Sequence, residues 1–553
     1  YEIIKNLKFK TTFSYDYTTV KGEKWYDPRT SNGEDENGEV VKRIREYKKM
    51  VWSNTLSYLT TFNNIHHLDF LAGYEIDDTY NDYLSGEAYN FTTPDKHAIS
   101  NGMKTVSVGG SDSRYRLVSY LSRLNYDYKN KYYLGASFRV DGSSRLHRDN
   151  RWGTFWSVSG AWRTIEEEFM QPVKDWLTDL RIRASYGVNG TLPSDYFGYM
   201  GLSSISGGYL EQPGIQMSQI ANPNLKWETN YNMNIGLDFG FWDRLNFTIE
   251  YYTRTTKNLL MDCPVSMTTG FSSYLMNIGE VKNKGIELTI NSTNIKIKDF
   301  NWNTTFNLGH NSNKVVKLDG EQTQIVSGTQ IHKVGSSYRT FYVQEFAGIN
   351  PETGNPLFYT NELDENGNYI KEITENSKNA QFIPYKHAEP TVNGGISNSL
   401  RYKWLDLNFL FSYQFGGYSY DTWAQKTEHG GYDSYANIPT YYRDSWKKPG
   451  DQTNIEVYMP GKSSSVSMHK ITSSRRIHST DYFRLKNITF GITLPKEWTN
   501  KINIGNVRFY ASASNLWTWA AYDNYDPEAV SAGSATQTTP PLKTVTFGLN
   551  INF

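Results

Sequence analysis

The chain has 553 residues, with 57 Lys+Arg balanced by 57 Asp+Glu, so its composition carries no broad electrostatic pull toward nucleic acid or anionic lipid. Mean hydropathy is -0.63 although 15% of residues are aromatic, a pairing that excludes a disordered chain, and no apolar run approaches the roughly eighteen residues of a transmembrane helix. The single Cys263 cannot close an internal disulfide, and no paired His and Asn/Asp context marks it as a nucleophile, so it reads as a bystander.

The first residue, Tyr1, follows no Met, charged n-region or apolar h-region, so the sequence is expected to be a mature, processed or truncated piece. Beyond it the dominant signal has a period of two. In chain order the alternation predicts sixteen strands, near 3–20, 48–62, 65–78, 113–127, 131–142, 153–164, 179–190, 228–241, 244–256, 281–295, 299–315, 390–402, 405–416, 481–494, 506–519 and 544–553. The eighth shows the pattern plainly. Tyr231, Met233, Ile235, Leu237, Phe239 and Phe241 alternate with Asn, Gly and Asp, which gives one strand a greasy face and a wet face.

The gaps between strands decide the architecture. Short turns at Asn63-Asn64, Tyr128-Lys129-Asn130, Trp242-Asp243, Lys296-Ile297-Lys298 and Lys403-Trp404 alternate with long polar stretches near 21–47, 79–112, 191–225, 257–280, 316–389, 417–480 and 521–543. Short turns on one side and long loops on the other are the pattern of an all-β, antiparallel transmembrane barrel, with periplasmic turns and extracellular loops. An alternating piece at 337–348 is assigned to the long external loop, since as a membrane span it would move every later short turn to the outside. A soluble propeller would repeat at about 40–50 residues with near-equal gaps, and these gaps are unequal. Trp242, Trp404, Trp517 and Trp519 are candidates for the aromatic girdles where hydrocarbon meets headgroup.

Several blocks carry a specific resemblance. Tyr120 to Tyr128, Lys131 to Ser144, Trp156 to Arg163, Leu180 to Gly187, Asn222 to Glu228, Gly279 to Glu287, Asp481 to Asn487 and Ser514-Asn515-Leu516 together resemble the barrel of SusC/RagA-type TonB-dependent outer-membrane transporters, from about residue 113 to the last. The terminal segment, with Gly548, Ile551 and Phe553, is similar to the signal read by outer-membrane assembly machinery, which captures a free strand edge by strand addition.

The resemblance implies TonB-dependent import of oligosaccharides, or of peptides in some members, across the bacterial outer membrane. It also implies a SusD-like surface lipoprotein over the barrel and TonB acting through an N-terminal plug. The sequence departs from the family there. No plug, TonB-contacting segment or N-terminal extension is recognisable, and sixteen strands fall short of the ~22 of plugged transporters, so residues 1–553 are expected to be the C-terminal part of the barrel, lacking its first strands. Taken alone, a sixteen-strand count also suits an open diffusion porin.

Catalysis is not expected. Asp238, Glu250, Glu287 and Asp406 could be imagined as glycosidase carboxylates, but lumen lining accounts for them better, because barrel interiors are routinely charged. His66 and His67 are adjacent on a strand and point to opposite faces, so they cannot share a metal. Residues 364–368 mimic the opening of a calcium loop, but Tyr369 stands where Gly is needed and no Glu falls at the twelfth place. No metal or cofactor is therefore expected. Recognition is assigned to the 417–480 loop, whose Trp423, Tyr432, Tyr435, Tyr441, Tyr442 and Trp446 are suited to stacking on sugars or burying a partner's surface; packing of the rings within the loop is the rival account.

Overall fold

A computed structural model describes residues 1–209, 212–318, 323–431, 437–460, 471–502, 504–535 and 538–552. All sixteen expected strands are present. They are β1 Leu7–Tyr26, β2 Glu39–Phe62, β3 His66–Phe91, β4 Gly102–Tyr128, β5 Tyr132–Ser143, β6 Trp152–Trp162, β7 Leu177–Thr191 and β8 Glu228–Phe241. The rest are β9 Leu245–Lys257, β10 Glu280–Lys296, β11 Phe300–Lys317, β12 Val392–Tyr402, β13 Leu405–Phe415, β14 Tyr482–Thr493, β15 Asn506–Ala520 and β16 Thr544–Asn552.

Two expected loops are corrected. Most of 21–47 and 79–112 is strand, because β1 to β4 run 20, 24, 26 and 27 residues, against the ~9–11 that cross a bilayer. In their distal halves charged residues fall on both faces, as in Lys42-Arg43-Ile44-Arg45-Glu46, and the alternation is lost. Alternation is imposed by lipid on one side, so a strand that continues beyond the bilayer loses the signal while keeping its ladder.

The chain forms two compact units. In the first (1–162, 184–232 and 256–278), β1 to β6 pair antiparallel in chain order. Leu146, Phe155, Leu225 and Trp227 make a buried cluster, and Val40, Ala88 and Phe91 make another against Trp25 and Ile99. In the second unit (163–183, 233–255 and 279–553), β10 to β13 and then β14 to β16 pair antiparallel in chain order. The 337–348 piece lies outside this ladder, as expected: Thr340–Gln344 belongs to a small sheet with Gln324–Ser327, Gln330–Lys333 and Phe382–His387.

Turn chemistry matches the sequence. Asn63 and Asn64, Lys129 and Asn130, and Trp242 and Asp243 all have φ between 50° and 58°. In each turn the next residue's N–H donates back across it, as in Arg244 N to Phe241 O at 3.0 Å. These are type I′ signs, the twist that lets two strands leave a tight hairpin side by side.

Burial along the strands is the reverse of a water-soluble protein. On β8, Ile235 and Leu237 are exposed while Gly236, Asp238 and Gly240 are buried. On β16, Val545, Phe547, Leu549 and Ile551 are all exposed, Phe547 at 81%. Contiguous apolar faces of this kind need a non-aqueous neighbour.

Candidate functional site

The polar strand face is organised by arginine. Arg181 and Arg183 stand two apart on β7 and so share a face. Asp238 Oδ2 accepts from Arg181 Nε at 2.9 Å and from Arg183 Nε at 2.8 Å, and Oδ1 accepts from Arg183 Nη2 at 3.0 Å and Thr248 Oγ1 at 3.0 Å. Arg183 Nη2 also donates to Glu250 Oε1 at 2.8 Å, so Asp238 and Glu250 are joined through one guanidinium. Asp406 pairs instead with Arg508, at 2.6 Å. Glu287 stands exposed on β10 opposite Gly309. The first unit repeats the device, with Asp78 held by Arg114 and Arg116. Charge-assisted bonds of this kind hold the carboxylates of Asp78, Asp238, Glu250 and Asp406 in place.

In the 417–480 loop the predicted rings divide. Tyr442, 4% exposed, donates to Glu456 Oε1 at 2.8 Å, and Arg475 Nη1 donates to the other oxygen of that fully buried carboxylate at 2.9 Å. Tyr441 donates to Glu428. Burial first, and the adjacent carboxylates second, push both tyrosine hydroxyls well above their usual range. Trp446 Nε1 donates to Pro351 O at 2.7 Å. The hydroxyls of Tyr441 and Tyr442 are thus engaged within the loop, while Trp446 reaches the 316–389 loop. Tyr432 and Tyr435 lie outside the described residues.

Trp423 borders a cleft. It is the second residue of the short helix Thr422–Thr427, capped by Asp421 Oδ1 accepting from Trp423 N at 3.0 Å and Ala424 N at 2.8 Å. Beside it lies a cleft of about 990 Å³ lined also by Asp421, Arg484, Asn515, Thr518 and Trp519. Arg484, 2% exposed by its side chain, donates to Thr518 Oγ1 at 3.0 Å, to Asp526 Oδ2 at 2.6 Å and to Glu528. Asp421 Oδ2 accepts from Tyr522 and Asn524, each at 3.0 Å.

The cleft was not legible as a site in the sequence. Besides Trp423, its local signal is Arg484, a cation inside an otherwise alternating strand. Its partners Asp526 and Glu528 are 42 and 44 residues away. Trp519, a girdle candidate by its place near a strand end, also borders it.

At the end of the chain, Gly548 lies opposite Tyr510, where a Cβ would meet the tyrosine ring carbon Cζ at 2.1 Å, so the crossing ring itself calls for glycine. Ile551 pairs opposite Val507 and is exposed; Phe553 lies outside the described residues.

Residues 2–370 match the family described as TonB dependent receptor-like, beta-barrel. The chain belongs to the TonB-dependent receptor β-barrel family. It is 32% identical over its full length to TonB-dependent receptor P3 of Formosa agariphila, of which it covers 57%. It is 29% identical over 94% of its length to TonB-dependent receptor SusC of Bacteroides thetaiotaomicron, of which it covers 51%. A structure titled the RagAB peptide transporter superposes with a TM-score of 0.87 at 27% identity, covering all of this chain and 60% of that one. The chain thus spans about 57% of the length of the curated relatives it matches over its whole extent. The likeness is of SusC/RagA type, and the family's place is the bacterial outer membrane. No helix among the described residues is long and apolar enough to cross a membrane.

Proposed function

We propose that this chain is the barrel part of a nutrient importer that takes up oligosaccharides across the outer membrane. The observation that carries the reading is the two-faced strand in a chain whose whole length aligns with SusC/RagA-type receptors: apolar side chains exposed on one face, arginine-locked carboxylates on the other. Such a wall holds water and passes polar solutes while its outer face meets lipid. The plug, the TonB-contacting segment and the first strands would belong to a longer polypeptide, a reading supported by the part of each relative that this chain spans. A SusD-like lipoprotein would bind over the external loops and TonB would act from the periplasm. The same wall would stand as a scaffold without catalysis, its carboxylates being held by Arg183 and Arg508.

A second reading, import of peptides, draws support from the likeness to the RagAB peptide transporter. Binding of the complete transporter with its lipoprotein to a panel of oligosaccharides and peptides separates the two. Saturable binding of oligosaccharides alone is expected; saturable binding of peptides alone would replace the first reading by the second.

A further inference from the structure

We infer that the cleft beside Trp423 is a binding subsite for an uncharged, hydroxyl-rich ligand, a neutral oligosaccharide segment; this rests on the oligosaccharide reading above and gives it a place and a charge class. Four observations converge. The volume, about 990 Å³, is at the upper end of what small ligands occupy. Trp423, only partly covered, borders it, and an indole face is a platform for the C–H side of a sugar ring; Trp519 follows Thr518 on β15 and so turns its ring to the other face of the strand.

The charges at its floor are already engaged. Arg484 donates to Thr518, Asp526 and Glu528, and Asp421 accepts from two backbone N–H groups, Tyr522 and Asn524. The remaining charged groups of the wall, Asp523 and Lys543, are opposite in sign and lie at the exposed rim. An ionic ligand would enter without a free counter-charge on the floor, at a desolvation cost that a neutral ligand avoids.

The fourth observation is an acceptor without a donor. Asn515 borders the cleft, and its Oδ1 is buried with no hydrogen-bond partner, while its Nδ2 donates to Leu542 O at 3.2 Å. Its position follows from a bulge. Ser514 pairs with Asn487 and Trp517 with Leu485, so β15 takes three steps where β14 takes two, and Asn515 takes a φ of 56° within the extra residue. Bulges re-aim a side chain in this way, and Asn tolerates the left-handed region. A buried acceptor left unsatisfied is costly, and a ligand hydroxyl would recover that cost as the Asn515 side chain turned toward the cleft.

The test uses the complete transporter with its lipoprotein, and titration calorimetry with neutral malto-, xylo-, manno- and fructo-oligosaccharides, a polygalacturonate series and a tryptic peptide mixture. Trp423→Ala and Asn515→Ala are each expected to weaken binding of the neutral ligand about tenfold or more, with Trp423→Phe recovering part of the loss because it keeps a ring. Retained affinity in both alanine variants, or binding confined to the polygalacturonates, overturns the subsite while leaving oligosaccharide import standing. Binding of peptides alone by the unmodified complex overturns the import reading and the subsite together. Loss in Trp423→Ala with no recovery in Trp423→Phe counts against the stacking role.

Discussion

The carboxylate of Asp421 accepts a 3.0 Å hydrogen bond from the hydroxyl of Tyr522, a residue 101 positions away. Asp421 is 1% exposed, and its other oxygen caps the helix that carries Trp423. One buried carboxylate therefore joins the 417–480 and 521–543 loops and orients the ring at the mouth of the cleft. Next to it, Tyr418–Asp421 makes ladder contacts with both Ile477–Ser479 and Ser534–Ala535.

Asp421→Ala should release both loops. Removing a buried charged acceptor that serves four donors is expected to cost about 2–4 kcal/mol of local stability. Hydrogen exchange of peptides covering 418–428 and 520–530 reads this directly. Faster exchange confined to those peptides, with the barrel strands unchanged, is the expected result; Asp421→Asn should give a smaller effect by keeping part of the acceptor set.

His478 makes the same region sensitive to acid. Its ring stacks on Tyr522 at 3.7 Å between centroids and 3° between planes, and burial holds its pKa down to about 4 from the usual 6.5. Asp421 opposes that shift, and Arg475 and Arg476 reinforce it. Between those two values an opened segment binds a proton that the closed one excludes, so stability is full above the unfolded pKa and falls as pH drops toward the folded one. Hydrogen exchange of peptides covering 471–480 should accelerate on going from pH 7 to pH 5, after correction for intrinsic rates. His478→Gln should remove most of that pH dependence.

The polar wall gives a third prediction. Asp238→Ala leaves Arg181 and Arg183 facing one another without their shared partner. A loss of about 1–3 kcal/mol is expected, discounted because both guanidinium groups are partly solvated. It should appear as a lower heat-modifiability midpoint on gels of the membrane-extracted complete protein. Asp238→Asn should fall between the two.

The outer face gives the fourth. Ile235 is exposed on β8 and Asn234 lies on the opposite face. An arginine facing hydrocarbon costs about 2–4 kcal/mol near the bilayer midplane. Ile235→Arg should reduce the amount of assembled protein in outer-membrane fractions, and Asn234→Arg should leave it close to normal. Equal effects of the two would place the apolar face away from lipid.

These contrasts show what the sequence makes legible. β8 reads to the residue because lipid on one side and water on the other force Ile235 and Asp238 into alternate positions. Lys42 to Glu46 do not read, because past the bilayer both faces meet water and the ladder persists without a pattern. The cleft is invisible for another reason. Trp423, Arg484, Asn515 and Asn524 are brought together by four separate segments, and Asn515 reaches it through a bulge that local spacing does not announce. The loop aromatics were legible as a group, but their composition could not separate Tyr442, whose hydroxyl is committed to Glu456, from Trp423 at the cleft.

The central claim, energised import through this barrel, is tested most directly by uptake of labelled oligosaccharide into cells carrying the complete gene and its lipoprotein partner, measured with and without a protonophore. The account predicts uptake that is lost on deletion of the gene and lost again when the proton gradient is collapsed. Uptake that needs the gene but continues at full rate in de-energised cells would contradict it and point to a passive pore.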